Sequence, residues 1–129
     1  MTEIDSYKLA SVVARILDDK KAQKIAILNI SNVSVLADYF VIASADTTTQ
    51  VKALTGNTRE LIKKHFGRIP TGEENDVKNR WNVLDYGDVI VHILHTEERE
   101  TYAIEKFWNH AFTIPREDWE EESKEYSIY

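Results

Sequence analysis

Asp85-Tyr86-Gly87-Asp88 places two carboxylates three residues apart between two apolar runs, Trp81–Leu84 and Val89–Leu94. A carboxylate pair can hold Mg²⁺ for phosphoryl or nucleotidyl transfer, but that chemistry wants same-face strand positions and a phosphate cradle. Asp85 and Asp88 straddle a turn, which suits it poorly. Asp and Gly are turn formers in their own right: Gly87 supplies a positive φ, and Asp85 can accept from the N–H two residues on. Tyr86 at the tip is not explained by a turn. SADTTTQ, after the second strand, opens a helix where an anion can bind, yet it has neither the glycines nor the lysine of a P-loop. His92 and His95 resemble a metal pair, but residues three apart on a strand face opposite ways, and no third ligand is evident. His92 reads as a core or cleft histidine. There is no G-x-S-x-G and no cysteine. The reading is therefore no catalytic residue, no metal and no cofactor. The alternative is a Mg²⁺-dependent transferase using Asp46 to Gln50, with Asp85 or Asp88 as ligands.

The elements that must position these residues are legible from periodicity. Leu9, Val12, Val13, Ile16 and Leu17 mark one face of a helix running to about Asp19, capped by Asp5 or Ser6. Lys24–Ser31 and Asp38–Ala45 read as two strands, most simply a hairpin. A long helix follows, with caps among Asp46 to Thr48 and a stop at Gly67. Its Gly56 either weakens it or admits another backbone. RIPTGEENDVKNR reads as a loop. Two strands surround DYGD, and Thr96 can cap a last helix with a wide apolar face that includes Ile104 and Trp108. Helix-strand-strand-helix-strand-strand-helix, with a crossover through the long helix, predicts a single α/β domain whose mixed sheet is covered by helices.

The 129 residues suit one domain, and the formal charge is −6. That balance argues against a partner gripped through nucleic-acid phosphates. Six of the 22 acids but only two of the 16 bases follow Pro115. The expected division is a body at 1–112 and an acidic tail at 113–129, helical or mobile. A basic protein surface is the partner this charge favours. The start of the chain lacks a signal pattern, and no apolar run nears the roughly 20 residues that span a membrane. With no cysteine, a cytosolic setting is expected.

Trp81, Tyr86 and Trp108 are costly aromatics to expose, and such residues concentrate at interfaces. The run W-x-V-L-D-Y-G-D-V-I-V-H, then E-x-R-E-x-Y-x-x-E-K-x-W, strongly resembles the ribosomal silencing factor family, RsfS or Iojap. ADYFVIASA followed by a Thr-rich helix start and QVKAL is similar to the same family, over about Leu9 to Ala111. The resemblance implies a nucleotidyltransferase-like fold without its catalytic set. It implies binding to the large ribosomal subunit through a conserved basic ribosomal protein, which blocks subunit joining when nutrients are short. The matched positions are Asp38, Tyr39, Trp81, Asp85, Gly87, Asp88, His92, Arg99, Tyr102, Glu105 and Trp108. Trp81, Leu84, Asp85 and Tyr86 are the expected partner contacts, with Leu84 joining the two aromatics as an apolar contact. Asp88 is expected as a turn or capping residue, and an exposed aromatic face can also serve a homodimer. Ala45 stands where the family often has Gly, and Thr49 where it often has Arg, both moving away from phosphate binding. TGEENDVKNR lacks the family's usual Glu-Gly pair.

Overall fold

The computed structural model describes residues 4–107 and 110–126. Helix α1 (Ser6–Asp19) begins where Asp5 accepts from the Lys8 N–H at 2.7 Å, satisfying an otherwise free first-turn donor. The apolar residues of its predicted face are all buried. Strands β1 (Gln23–Asn29) and β2 (Tyr39–Ala45) form the expected antiparallel hairpin. Helix α2 (Thr48–Phe66) is capped by the Thr47 hydroxyl and stops at Gly67 with φ 67°, a left-handed position that glycine adopts without penalty. A Cβ on Gly56 would meet only the Arg59 side chain, at 3.8 Å, so no second backbone explains that glycine.

Strands β3 (Gly72–Asn75), β4 (Trp81–Asp85) and β5 (Val89–His95) follow as an antiparallel meander. β5 then lies parallel to β2, with Tyr39 opposite Val89. Adding β6 (Phe112–Thr113) gives the order β3-β4-β5-β2-β1-β6, the mixed sheet that the element order predicts. The main core lies between one sheet face and α1, α2 and α5 (Arg116–Ser123). The second face holds a smaller cluster around Leu28, Ile30, Phe40, Ile42 and Leu94, joined by Ile104. No helix among the described residues is long and apolar enough to cross a membrane.

Three expectations need correction. First, β3 falls inside the predicted loop. Gly-Glu-Glu-Asn has no strand propensity, and pairing with β4 makes it a strand. Second, the last helix is two: α3 (Thr96–Tyr102) and α4 (Ile104–Phe107), broken at Ala103, which is left-handed with φ 44°. His95, not Thr96, caps α3, its Nδ1 accepting from the Glu97 N–H at 3.1 Å. The Thr96 hydroxyl turns instead to Asp46, 2.7 Å away. Third, the residues expected as a tail from 113 pack on the body. Trp119 is only 2 % exposed and joins the main core. Arg15 of α1 donates to the Ser123 hydroxyl and the Glu120 carbonyl, both at 2.8 Å. Lys8 pairs with Glu122 and Glu125. An acidic run reads as solvated, but here one indole buries a large apolar area and two of the acids meet Lys8 of α1.

Candidate partner-binding face

Along β4 the side chains alternate. Asn82 and Leu84 are buried towards the helices, and Trp81, Val83 and Asp85 face the other way, half-buried. Beside them on the same face stand Ile90 and His92 of β5, in register with Asp85 and Val83, and Phe40 of β2, opposite Ile90. Leu36, Phe40, Val83, Asp85, Ile90 and His92 line a groove, with Glu73 and Glu74 at its edge. A second hollow between Trp81 and Val83 is rimmed by Glu74, Asn75 and Asp76. The floor is apolar and aromatic, and the rim is acidic.

The aromatic floor is tied together. The Trp81 indole N–H donates to His92 Nδ1 at 3.2 Å. Phe40 meets the His92 ring edge-on at 4.8 Å between centroids, and Tyr102 packs on Trp81 at 5.0 Å. Because Nδ1 accepts, the ring's proton sits on Nε2, which is enclosed and meets no acceptor among the described residues. Burial pulls the His92 pKa down to about 4. At neutral pH the ring is therefore uncharged, as its acceptor role towards Trp81 requires.

DYGD is a turn, and its residues separate. Asp85 accepts from the Gly87 N–H at 2.7 Å, and Gly87 has φ 90°. Asp88 accepts from Arg68 Nη2 at 3.0 Å and Nη1 at 3.3 Å, while its carbonyl takes the N–H groups of Asp38 and Tyr39. It is a joint between the β4–β5 turn and the start of β2. Tyr86 points inward, 2 % exposed, with the Arg68 guanidinium 5.8 Å from its ring. Burial pushes its hydroxyl pKa up to about 12 against the pull of Arg68. Leu84 is fully buried. The expected contacts therefore divide. Trp81 and Asp85 stand on the open face, while Leu84 and Tyr86 belong to the core and offer no side chain to a partner. Period two contained this result, since 81, 83 and 85 share a face that 84 and 86 cannot.

Of the other matched positions, Tyr39 is half-buried against Tyr7 at 5.9 Å, on the helix side. Asp38 is exposed. Arg99 is 8 % exposed and ties α3 to α4 through two 3.3 Å bonds to Glu105. Trp108 lies outside the described residues. Leu36, Phe40 and Ile90 were not expected in the site, and Val83 and Glu74, within the expected strand region and the loop before it, were not singled out. The alternation of β4 signalled Val83, but the rest needed the strand order.

The ligand set of the transferase reading does not assemble. Asp46 follows the C-terminal end of β2, whereas Asp85 and Asp88 sit by its N-terminal end, about 20 Å away by strand rise. Asp46 accepts from Gln23 at 2.8 Å and from Thr96, and these bonds lower its pKa. The Asp46 carboxylate, one residue before the Thr47 cap of α2, is thus already engaged by β1 and α3. Among the described residues no three His, Cys, Asp or Glu side chains are grouped to hold a metal.

Fold and face together define the class: a mixed-sheet α/β protein with one sheet face under helices and an aromatic, acid-rimmed surface on the other. Residues 3–128 match a family described as ribosomal silencing factor during starvation. The chain belongs to this RsfS family. The ribosomal silencing factor RsfS of Halalkalibacterium halodurans is 32% identical over 114 residues, 88% of this chain and 97% of that protein. The chloroplastic protein Iojap of Arabidopsis thaliana is 33% identical over 119 residues, 90% of this chain and 49% of that longer protein. A crystal structure of a Chromobacterium violaceum protein superposes with a TM-score of 0.78 at 28% identity, covering 82% of this chain and 88% of that one. The Halalkalibacterium relative carries the name of a silencing factor and not of an enzyme.

Proposed function

We propose that this protein binds the large ribosomal subunit through a basic ribosomal protein. Seated there, it blocks joining of the small subunit and represses translation in the cytoplasm during stationary phase or starvation. The observation that carries the reading is the open sheet face, with Trp81 and His92 as floor and Glu74, Asp76 and Asp85 as rim. An acidic rim repels rRNA phosphate and complements a lysine- and arginine-rich protein surface. The reading needs no catalytic residue, metal or cofactor. In the free protein the same face is open to a second copy, which a size-exclusion mass distinguishes.

The test is co-sedimentation with separated 50S and 30S subunits, followed by addition of the missing subunit. Binding to 50S alone, with fewer 70S particles formed, supports the proposal. Trp81→Ala should keep the fold and weaken 50S binding by about 2 kcal/mol or more, the usual cost of truncating an interface tryptophan. No binding to either subunit overturns the function, and normal binding by Trp81→Ala overturns the face.

A further inference from the structure

β3 ends the sheet beside the acidic rim. β4 lies on one side of it, and among the described residues no strand lies on the other. All four of its residues are exposed. The direction of its backbone groups follows from the ladder. Tyr86 N–H donates to the Val89 carbonyl and His95 N–H to the Arg80 carbonyl, so the even-numbered residues of β4 serve β5. The odd-numbered ones serve β3, as the bond from the Asp76 N–H to the Trp81 carbonyl shows. Antiparallel alternation then turns Gly72 and Glu74 towards β4, and turns the N–H and C=O of Glu73 and Asn75 outward. No bulge or proline blocks this edge.

The charges on the edge select what can pair with it. Glu73 is neutralised by Arg59 at 2.6 Å and also accepts from Asn75. Both lie on the helix side, in register with Leu84 and Asn82. On the open side Glu74, opposite Val83, stands at the rim of both the groove and the hollow. A second copy pairing antiparallel here would set its own Glu73 and Glu74 against these, and like charges placed opposite are destabilising. A basic strand meets the opposite situation.

We infer that β3 is a strand-addition site: the partner contributes an extended segment with Lys or Arg at alternate positions, hydrogen-bonded to Glu73 and Asn75 and facing Glu74. Backbone pairing supplies register, and the acid supplies preference. The inference rests on the proposed ribosomal binding and deepens it, since it makes the partner continue the sheet rather than merely cover Trp81.

The test uses the full chain with purified 50S subunits. Asn75→Pro removes the outward N–H and leaves the β4 side intact, a position where an edge strand tolerates proline. Asn75→Ala loses the same side chain and keeps the N–H. The expected result is about tenfold or greater weakening by Asn75→Pro, with Asn75→Ala like wild type. On the wild-type chain, 50S subunits should slow amide exchange over residues 72–76, and this reading decides the matter if Asn75→Pro does not fold. Equal binding by the two variants, or unslowed exchange, overturns strand addition. If Trp81→Ala loses binding while Asn75→Pro keeps it, the binding face stands and only the edge inference fails. If wild type does not bind 50S, both fail.

Discussion

His92 sits beneath Phe40 and Trp81, its Nδ1 committed to the indole and its Nε2 enclosed. Burial lowers its pKa from 6.5 to about 4. The sign follows from which state takes the proton first. Between those two values the unfolded chain binds a proton that the folded protein refuses, so stability present at neutral pH is lost as pH falls. A gap this wide is worth about 3 kcal/mol when complete, and about 2 kcal/mol of it falls between pH 7 and pH 5. The perturbation is His92→Asn, whose carbonyl can still accept from Trp81 but which does not titrate. The assay is the urea midpoint of both proteins at the two pH values. Every other ionisable side chain is common to the two proteins, so its contribution cancels in the difference. Wild type should lose about 2 kcal/mol more than His92→Asn on acidification. Parallel losses would refute the buried neutral imidazole, and with it the tautomer assigned to the floor of the face.

Trp119→Ala should destabilise by about 3–5 kcal/mol in urea unfolding, the usual cost of deleting a core aromatic. A change under about 1 kcal/mol would return the residues after 113 to the status of an appended tail. Gly56→Ala should raise the urea midpoint, because the new methyl meets only Arg59 and helix propensity favours Ala by about 1 kcal/mol. A lower midpoint would show that something other than Arg59 needs that space.

The elements with strong periodicity were legible in the sequence: α1 through its apolar stripe, α2 through its caps, and the four central strands through apolar runs and turns. The long crossover predicted a parallel connection after the second strand, but that its partner is β5, with β4 one place further out, came only from the structure. β3 was not legible, because Gly72 to Asn75 form a strand only by virtue of what lies beside them. The break at Ala103 leaves no signal either, since alanine is a helix former held here in a left-handed conformation. The tail was misjudged because charge dominated the composition and one indole decides its place. At the site, Trp81 and Asp85 were singled out from the motif, and the structure places both side chains on the open sheet face. Tyr86 was misplaced by treating the tip of a turn as outward-facing, whereas the strand's alternation sends that ring into the core. Phe40 and Leu36 come from more than 40 residues upstream of Trp81 and reach the groove only once the strand order is known.

The parallel pairing of β2 with β5 bears on when the face comes into being. The two hairpins, β1–β2 and β4–β5, are local and can close early, but joining them requires the whole of α2 and β3 to be looped between Tyr39 and Val89. Distant parallel contacts of this kind form slowly, because loop closure must precede the gain. Phe40 lies on one side of that late seam, and His92 and Trp81 lie on the other. A chain still emerging during synthesis therefore has aromatic residues but no assembled surface. On the proposed function, the surface that meets the partner is therefore assembled late, when that seam closes.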